Sequence, residues 1–323
     1  MMAMRLSYFV FTMLLCSSLR AENIPSSMPV LIPESSYHPD AQSPCPSIDR
    51  KLGQYSNISQ FAIVESRELV KGRYDRNFRE LALVGDGTIL EQENFSLAAD
   101  HTLTISLPTF SSKVTIHVTG DQPSTIAGTL SSNGSIVLIN KHGVTISGTG
   151  HINCHGFTGT TGDASTSSIV NEGQILCTKS VLLSSRGCVA NSNTMCVPGG
   201  RIILQGSVVQ VKGTLDVSQK GGGGTICIGG GFHGEDTLIP NSKLTVVHKG
   251  AVLRADALEQ GDGGTVIIWS DVLTRFLGSI SAVGRGPKGT GGAAEVASRN
   301  NLDFLGDIDL SSTQGVGGPL IFA

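Results

Sequence analysis

Apolar and polar residues alternate along most of this chain, as in Thr102-Leu103-Thr104-Ile105-Ser106-Leu107 and Lys113-Val114-Thr115-Ile116-His117-Val118. Successive side chains of a strand point to opposite faces, so this period of two predicts short strands, each with one buried side. Helix-period patterning is almost absent. In the C-terminal half, five glycine doublets punctuate the pattern: Gly199-Gly200, Gly223-Gly224, Gly263-Gly264, Gly291-Gly292 and Gly317-Gly318. Four open directly into an apolar run (201–204, 225–228, 265–268 and 319–322), and the doublet at 291–292 opens into the weaker Ala293-Ala294-Glu295-Val296. The steps between doublets are 24, 40, 28 and 26 residues. A repeat in this range means one supersecondary unit stacked on itself.

A second mark lies inside each unit, where a strand stops at one glycine and resumes at once. It occurs at Gly213, Gly278 and Gly306, and more loosely at Gly250. Glycine suits a tight bend there because positive φ costs it nothing. Each unit then reads strand, bend, strand, glycine-rich loop, strand. Such strands cannot bury an apolar side alone, but coils stacked about 4.8 Å apart share one core. The predicted fold is all-β, a parallel β-helix, with either hand open at this point.

Composition agrees. Aromatics make up 5% and charged residues 15% of 323 residues, with 41 glycines, which suits turn-dense β-structure and not a helical bundle. The N-terminus reads as a secretory signal over 1–21, with Arg5 as the basic region, Leu6 to Leu15 as the apolar core and cleavage after Ala21. Cys16 raises lipidation as an alternative, but Leu15 before it is larger than such a site prefers. The apolar run is too short to span a bilayer, and no other stretch is a transmembrane candidate. Removal of the signal leaves 21 basic and 26 acidic residues, a formal charge of −5. Nothing basic is clustered enough to follow phosphates, which argues against nucleic acid and anionic membranes as partners.

Six cysteines then remain, and an even count in an exported chain favours disulfides. Cys188 and Cys196 flank a polar stretch and are the expected pair. Cys227, between Ile226 and Ile228, suits a small buried thiol. Residues 22–80 read as a Pro/Ser-rich tail followed by a charged segment, with a short capping helix expected over 59–80 to cover the open end of the stack. The β-pattern is expected from 81. Residues 81–154 form its first section, 155–198 are expected to leave the stack as a Ser/Thr/Gly-rich excursion, and 199–323 carry the glycine-punctuated coils.

The run from Val118 through Gly128-Thr129-Leu130-Ser131-Ser132-Asn133-Gly134-Ser135-Ile136-Val137-Leu138-Ile139-Asn140 resembles the secretion domain of filamentous-haemagglutinin-like exoproteins. That family continues into an Asn-Pro-Asn-Gly motif, which this chain writes as Asn140-Lys141-His142-Gly143. Gly261 to Ser270, Thr274 to Ala282, Leu302-Asp303-Phe304 and Asp307 to Ser311 are similar to the repeats of large exoproteins. The resemblance covers about residues 90–323. It implies a right-handed β-helix, two-partner secretion through an outer-membrane transporter barrel, and an adhesin or haemagglutinin-like role toward a host or cell-surface receptor or glycan. It also makes Asn133, Gly134, Asn140 and Gly143 the candidates for guiding export.

An enzyme is the main rival, since exported β-helices can cleave acidic polysaccharides as lyases or hydrolases. Aligning the position just past each bend puts Asp216, Arg254, Ser281 and Asp309 in one column. Its two acids lie three coils apart, about 14 Å at the usual strand spacing. Paired catalytic carboxylates need about 5–9.5 Å, so the column reads as solvated polarity. His151-Ile152-Asn153-Cys154-His155 has metal-ligand residue types, but alternation sends Cys154 to the face opposite both histidines. Gly229 to Asp236 is calcium-like once only, which favours a surface loop. Trp269 reads as a packed residue beside a corner. No phosphate-cradling loop appears, and no cofactor is expected. The expectation is a non-catalytic exported β-helix. A carbohydrate-active enzyme and a truncated relative retained in the cell envelope are the alternatives.

Overall fold

The computed structural model describes residues 63–64, 70–71, 80–83 and 86–322. The signal and the Pro/Ser-rich tail lie outside the described residues. Parallel strands form a β-solenoid of about ten turns, and the one helical piece among the described residues is a single 3-10 turn at Phe232–Gly234.

Each full coil has three walls. In one of them the first wall is Arg201–Gln205, the second Val208–Val211 and the third Thr214–Asp216. The next coil repeats them as Thr225–Ile228, Leu244–Val247 and Val252–Arg254. Wall stacks on wall in register, as in Ile202↔Ile226↔Val266↔Ala294 along the first. All four of these side chains point inward and are buried. A second-wall column runs Ile126, Ile146, Asn171, Asn191, Val211, Val247, Phe276. Its two buried asparagines meet on adjacent coils, with Asn171 Nδ2 donating to Asn191 Oδ1 at 2.7 Å. That bond pairs two of the polar atoms in a core row, and Asn191 Nδ2 donates onward to Asn193 O at 2.8 Å, while Asn171 Oδ1 stays buried without a partner among the described residues.

The doublets have a direct physical cause. A Cβ on Gly224, Gly264 or Gly292 would stand 2.1–2.2 Å from the carbonyl oxygen of the corresponding glycine one coil earlier. Each of those oxygens accepts from the first strand residue of the next coil, as in Thr265 N–H to Gly224 O at 2.9 Å and Ala293 N–H to Gly264 O at 2.9 Å. Only glycine lets the two backbones come that close. The single-glycine bends work the same way and not through left-handed backbone. Gly213, Gly278 and Gly306 lack positive φ, and a Cβ on Gly213 would meet Asn193 O at 2.0 Å. Gly250, at φ +85°, is the bend with the expected conformation.

Two expectations about organisation change. Residues 155–198 do not leave the stack. His151–Thr160 and Gln174–Ser184 are its longest strands, each running from the third wall round a corner into the first wall, and they pair with each other almost throughout. Ser and Thr there occupy the outward half of the alternation, so polar composition reflects a solvated face. The capping helix expected over 59–80 also fails where the segment is described. Ile63–Val64 and Val70–Lys71 are strands, pairing with Ala82-Leu83 and Leu90-Glu91.

Candidate functional site

The residues singled out for export sit at the two corners that bracket one first-wall strand, Ser135–Asn140. At its start, Asn133 forms a two-way bond with the backbone of Leu107 on the preceding coil. Its Nδ2 donates to Leu107 O at 2.8 Å, and its Oδ1 accepts from Leu107 N–H at 2.7 Å. Gly134 beside it has no room for a side chain, since a Cβ would stand 2.5 Å from Leu107 Cδ1 and 2.6 Å from Ser112 O.

At the strand's end, Asn140 is fully buried. Its Nδ2 donates to Gln122 O at 2.9 Å and to Ser124 Oγ at 3.0 Å, while its Oδ1 accepts from His142 N–H at 2.9 Å. Gly143 N–H closes the turn on Asn140 O at 3.1 Å, and Ser124 N–H donates to Gly143 O at 3.0 Å. Gly143 has φ +119°, where a side chain would be strained. Asn140 and Gly143 are therefore the frame of the turn, and Lys141 and His142 are its exposed tip. The two corners are seven residues apart along an extended strand, about 20 Å, so they do not form one patch.

The expected Cys188–Cys196 disulfide is corrected, because Cys188 is a free, buried thiol. The intervening residues are not a loop. Cys188–Asn191 is a second-wall strand and Met195–Cys196 belongs to the third wall, so the chain turns a corner between the two cysteines. Burial pushes the Cys188 thiol up to about 11. Cys154 and Cys177 are also free and stack in register inside the core, 3.5 Å between sulfurs.

The acidic column forms as aligned, with Asp216↔Arg254↔Ser281↔Asp309 on successive coils. Its acids close local turns: Asp216 Oδ1 accepts from Ser218 N–H at 2.8 Å and Asp309 Oδ1 from Ser311 N–H at 3.0 Å. Burial raises the Asp216 carboxyl above its ordinary range. In the His/Cys segment, Cys154 points inward, while His151 lies exposed and His155 sits outside against Thr178, Nδ1 to Oγ1 at 2.7 Å. Burial and the nearby Lys179 charge lower the His155 ring.

Sequence reasoning passed over Glu295. It faces outward from the first wall, yet its side chain is only 1% exposed, because residues 229–242 lie over it. Both carboxylate oxygens accept from His233 N–H at 3.1 Å, and His233 Nδ1 lies 3.1 Å from Oε1. Burial raises this carboxyl, and the His233 contacts oppose that rise. The available signal was the 40-residue step between doublets, longer than the others by a loop's length.

Fold and corners together define a stacked-coil exoprotein domain built around glycine-locked turns. The model of the TPS secretion domain matches residues 84–268, more than half of the chain, and the chain belongs to that family. Membership implies export by two-partner secretion with a transporter as the second partner. Among solved structures, the HMW1 secretion domain from Haemophilus influenzae is similar at 18% identity, over 80% of this chain and 96% of that one, with a TM-score of 0.36. No curated protein matches.

Proposed function

We propose that the first section of the solenoid carries the signal by which an outer-membrane transporter barrel exports the chain. Outside the cell the folded stack then serves as a non-catalytic, adhesin-like display module. The observation that carries this reading is the 140–143 turn inside the matched region. Its frame, Asn140 and Gly143, is locked by five hydrogen bonds to the neighbouring turn and within itself, and its tip, Lys141-His142, is open to a partner. Because Asn140 is buried in the folded stack, it acts on export before the coil closes, when its amide is accessible to the transporter. The outward rungs of the early coils, such as Thr129, Ser131 and Thr158, give the display surface its small uncharged character. A host or cell-surface receptor or glycan is the expected ligand class.

The test compares extracellular protein for wild type, Asn140→Ala and the double change Lys141→Ala with His142→Ala, alongside the folded stability of each purified protein. Loss of secretion in Asn140→Ala is expected. Undiminished extracellular protein from that variant sinks the role given to Asn140. Binding of purified protein to glycan arrays or host cells addresses display, and fractionation of cells from medium separates it from retention in the envelope.

A further inference from the structure

Residues 229–242 are a separate element laid on the outside of the solenoid. The coil that contains them is complete without them: Thr225–Ile228 pairs with both neighbouring first-wall strands, and Leu244–Val247 with both second-wall neighbours. Ser242 N–H donates to Gly229 O at 2.6 Å and closes the neck where the segment leaves and rejoins the coil.

Under the segment lies an outward-facing column in register, Ile203↔Cys227↔Ile267↔Glu295, drawn from four consecutive coils. Outward positions of a solenoid wall are normally solvated, yet Cys227 is 1% and Ile267 8% exposed. Ile239 supplies the apolar cover, packing with Cys227, Ile267 and Ile203. The far end is held by Glu295 on His233, residues 62 apart in sequence.

We propose that 229–242 is a clasp, which closes across these coils only once the coil carrying Glu295 has stacked, and which when open exposes the Ile203–Cys227–Ile267 strip. Two features make it the element that opens first. His233 is the one non-glycine residue with positive φ among those described, at φ +53°, a conformation held only while its surroundings enforce it. The clasp spends two of its large apolar side chains on solvent, with Phe232 49% and Leu238 86% exposed, so Ile239 is the one large apolar side chain it buries, beside Gly230 and Gly234 laid against the Trp269 ring. Low apolar burial marks the segments that open locally while the rest of a protein stays folded.

Cys227 under the clasp is the reporter. The full-length folded protein is treated with N-ethylmaleimide at one pH, and labelling of each cysteine is followed by peptide mass spectrometry. Glu295→Ala removes the far anchor and Ile239→Ala the apolar one, and neither side chain belongs to the inward core. Losing a buried hydrogen-bond partner or an apolar anchor should speed Cys227 labelling by about tenfold in each variant. Cys154, Cys177 and Cys188 should stay protected at wild-type rates. The proposal is overturned if Cys227 labels at the wild-type rate in either variant. It is equally overturned if all four thiols accelerate together, since protection would then belong to the whole stack.

Discussion

Replacing Gly264 with alanine should destabilise the protein by about 2–6 kcal/mol, from overpacking plus a damaged cross-coil bond. The new Cβ would stand 2.1 Å from Gly224 O and 2.7 Å from Gly223 C, all backbone of the preceding coil. An ordinary contact needs about 3.4 Å or more, so one coil must move by about 1.3 Å relative to the other. That movement breaks the 2.9 Å bond from Thr265 N–H to Gly224 O, a bond whose donor is the residue next to the substitution. Overpacking contributes about 1–3 kcal/mol and the lost buried bond a similar amount. The assay is urea unfolding followed by tryptophan fluorescence, because Trp269 is the chain's only tryptophan and lies on the same coil. Gly221→Ala is the control: nothing lies within 4 Å of its Cβ position, and it should be neutral or stabilising by up to about 1 kcal/mol. A Gly264→Ala midpoint equal to wild type, or an equal loss in Gly221→Ala, would refute the close-approach account of the doublets.

Asn140→Ala should cost about 2–4 kcal/mol, as the three hydrogen bonds of its buried amide disappear, while Lys141→Ala at the exposed tip should change stability by less than about 0.5 kcal/mol; urea midpoints decide it. Asp216 and Glu295 have folded pKa values raised above their unfolded ones by burial, so each binds its proton more tightly when folded. The stability due to that preference is present at low pH and is lost as pH rises through the raised values; Asp216→Asn should flatten this fall between acidic and neutral pH, and an unchanged slope would count against it. The Cys188 thiol, at about 11, should resist alkylation at pH 8 in folded protein and react fully in urea, as peptide mapping would record.

Much of the fold was readable because its causes are either local in sequence or repeated at each coil. Strand alternation is set within each strand, the doublets and single-glycine bends recur at every coil because each passes close to the coil before it, and the Asp216–Arg254–Ser281–Asp309 alignment needed only the repeat phase. The Cys188–Cys196 pairing failed because a spacing of eight residues looks the same whether it is a loop or a corner between two walls. The Ser/Thr richness of 155–198 misled for a related reason: on a solvated outer face, composition of a strand and of a loop converge. At the candidate site, the motif positions were found from the resemblance, but that Asn140 is buried frame and Lys141-His142 exposed tip depends on bonds to Gln122 and Ser124 a coil corner away. Glu295 stayed hidden because its partner lies 62 residues distant, beyond any local pattern.

The parallel register has a consequence for time as well as shape. Nearly every wall strand pairs with a strand one coil earlier, at a separation of roughly one repeat, and none of the described strands waits for a partner from the far end of the chain. Loop-closure entropy is therefore met in small steps, with each finished coil offering a template edge to the next. A chain threaded out of a pore from its N-terminus can gain stability with every coil that emerges, and each new coil makes backward slippage costlier. The solenoid is in this sense a ratchet, whose teeth are the coils.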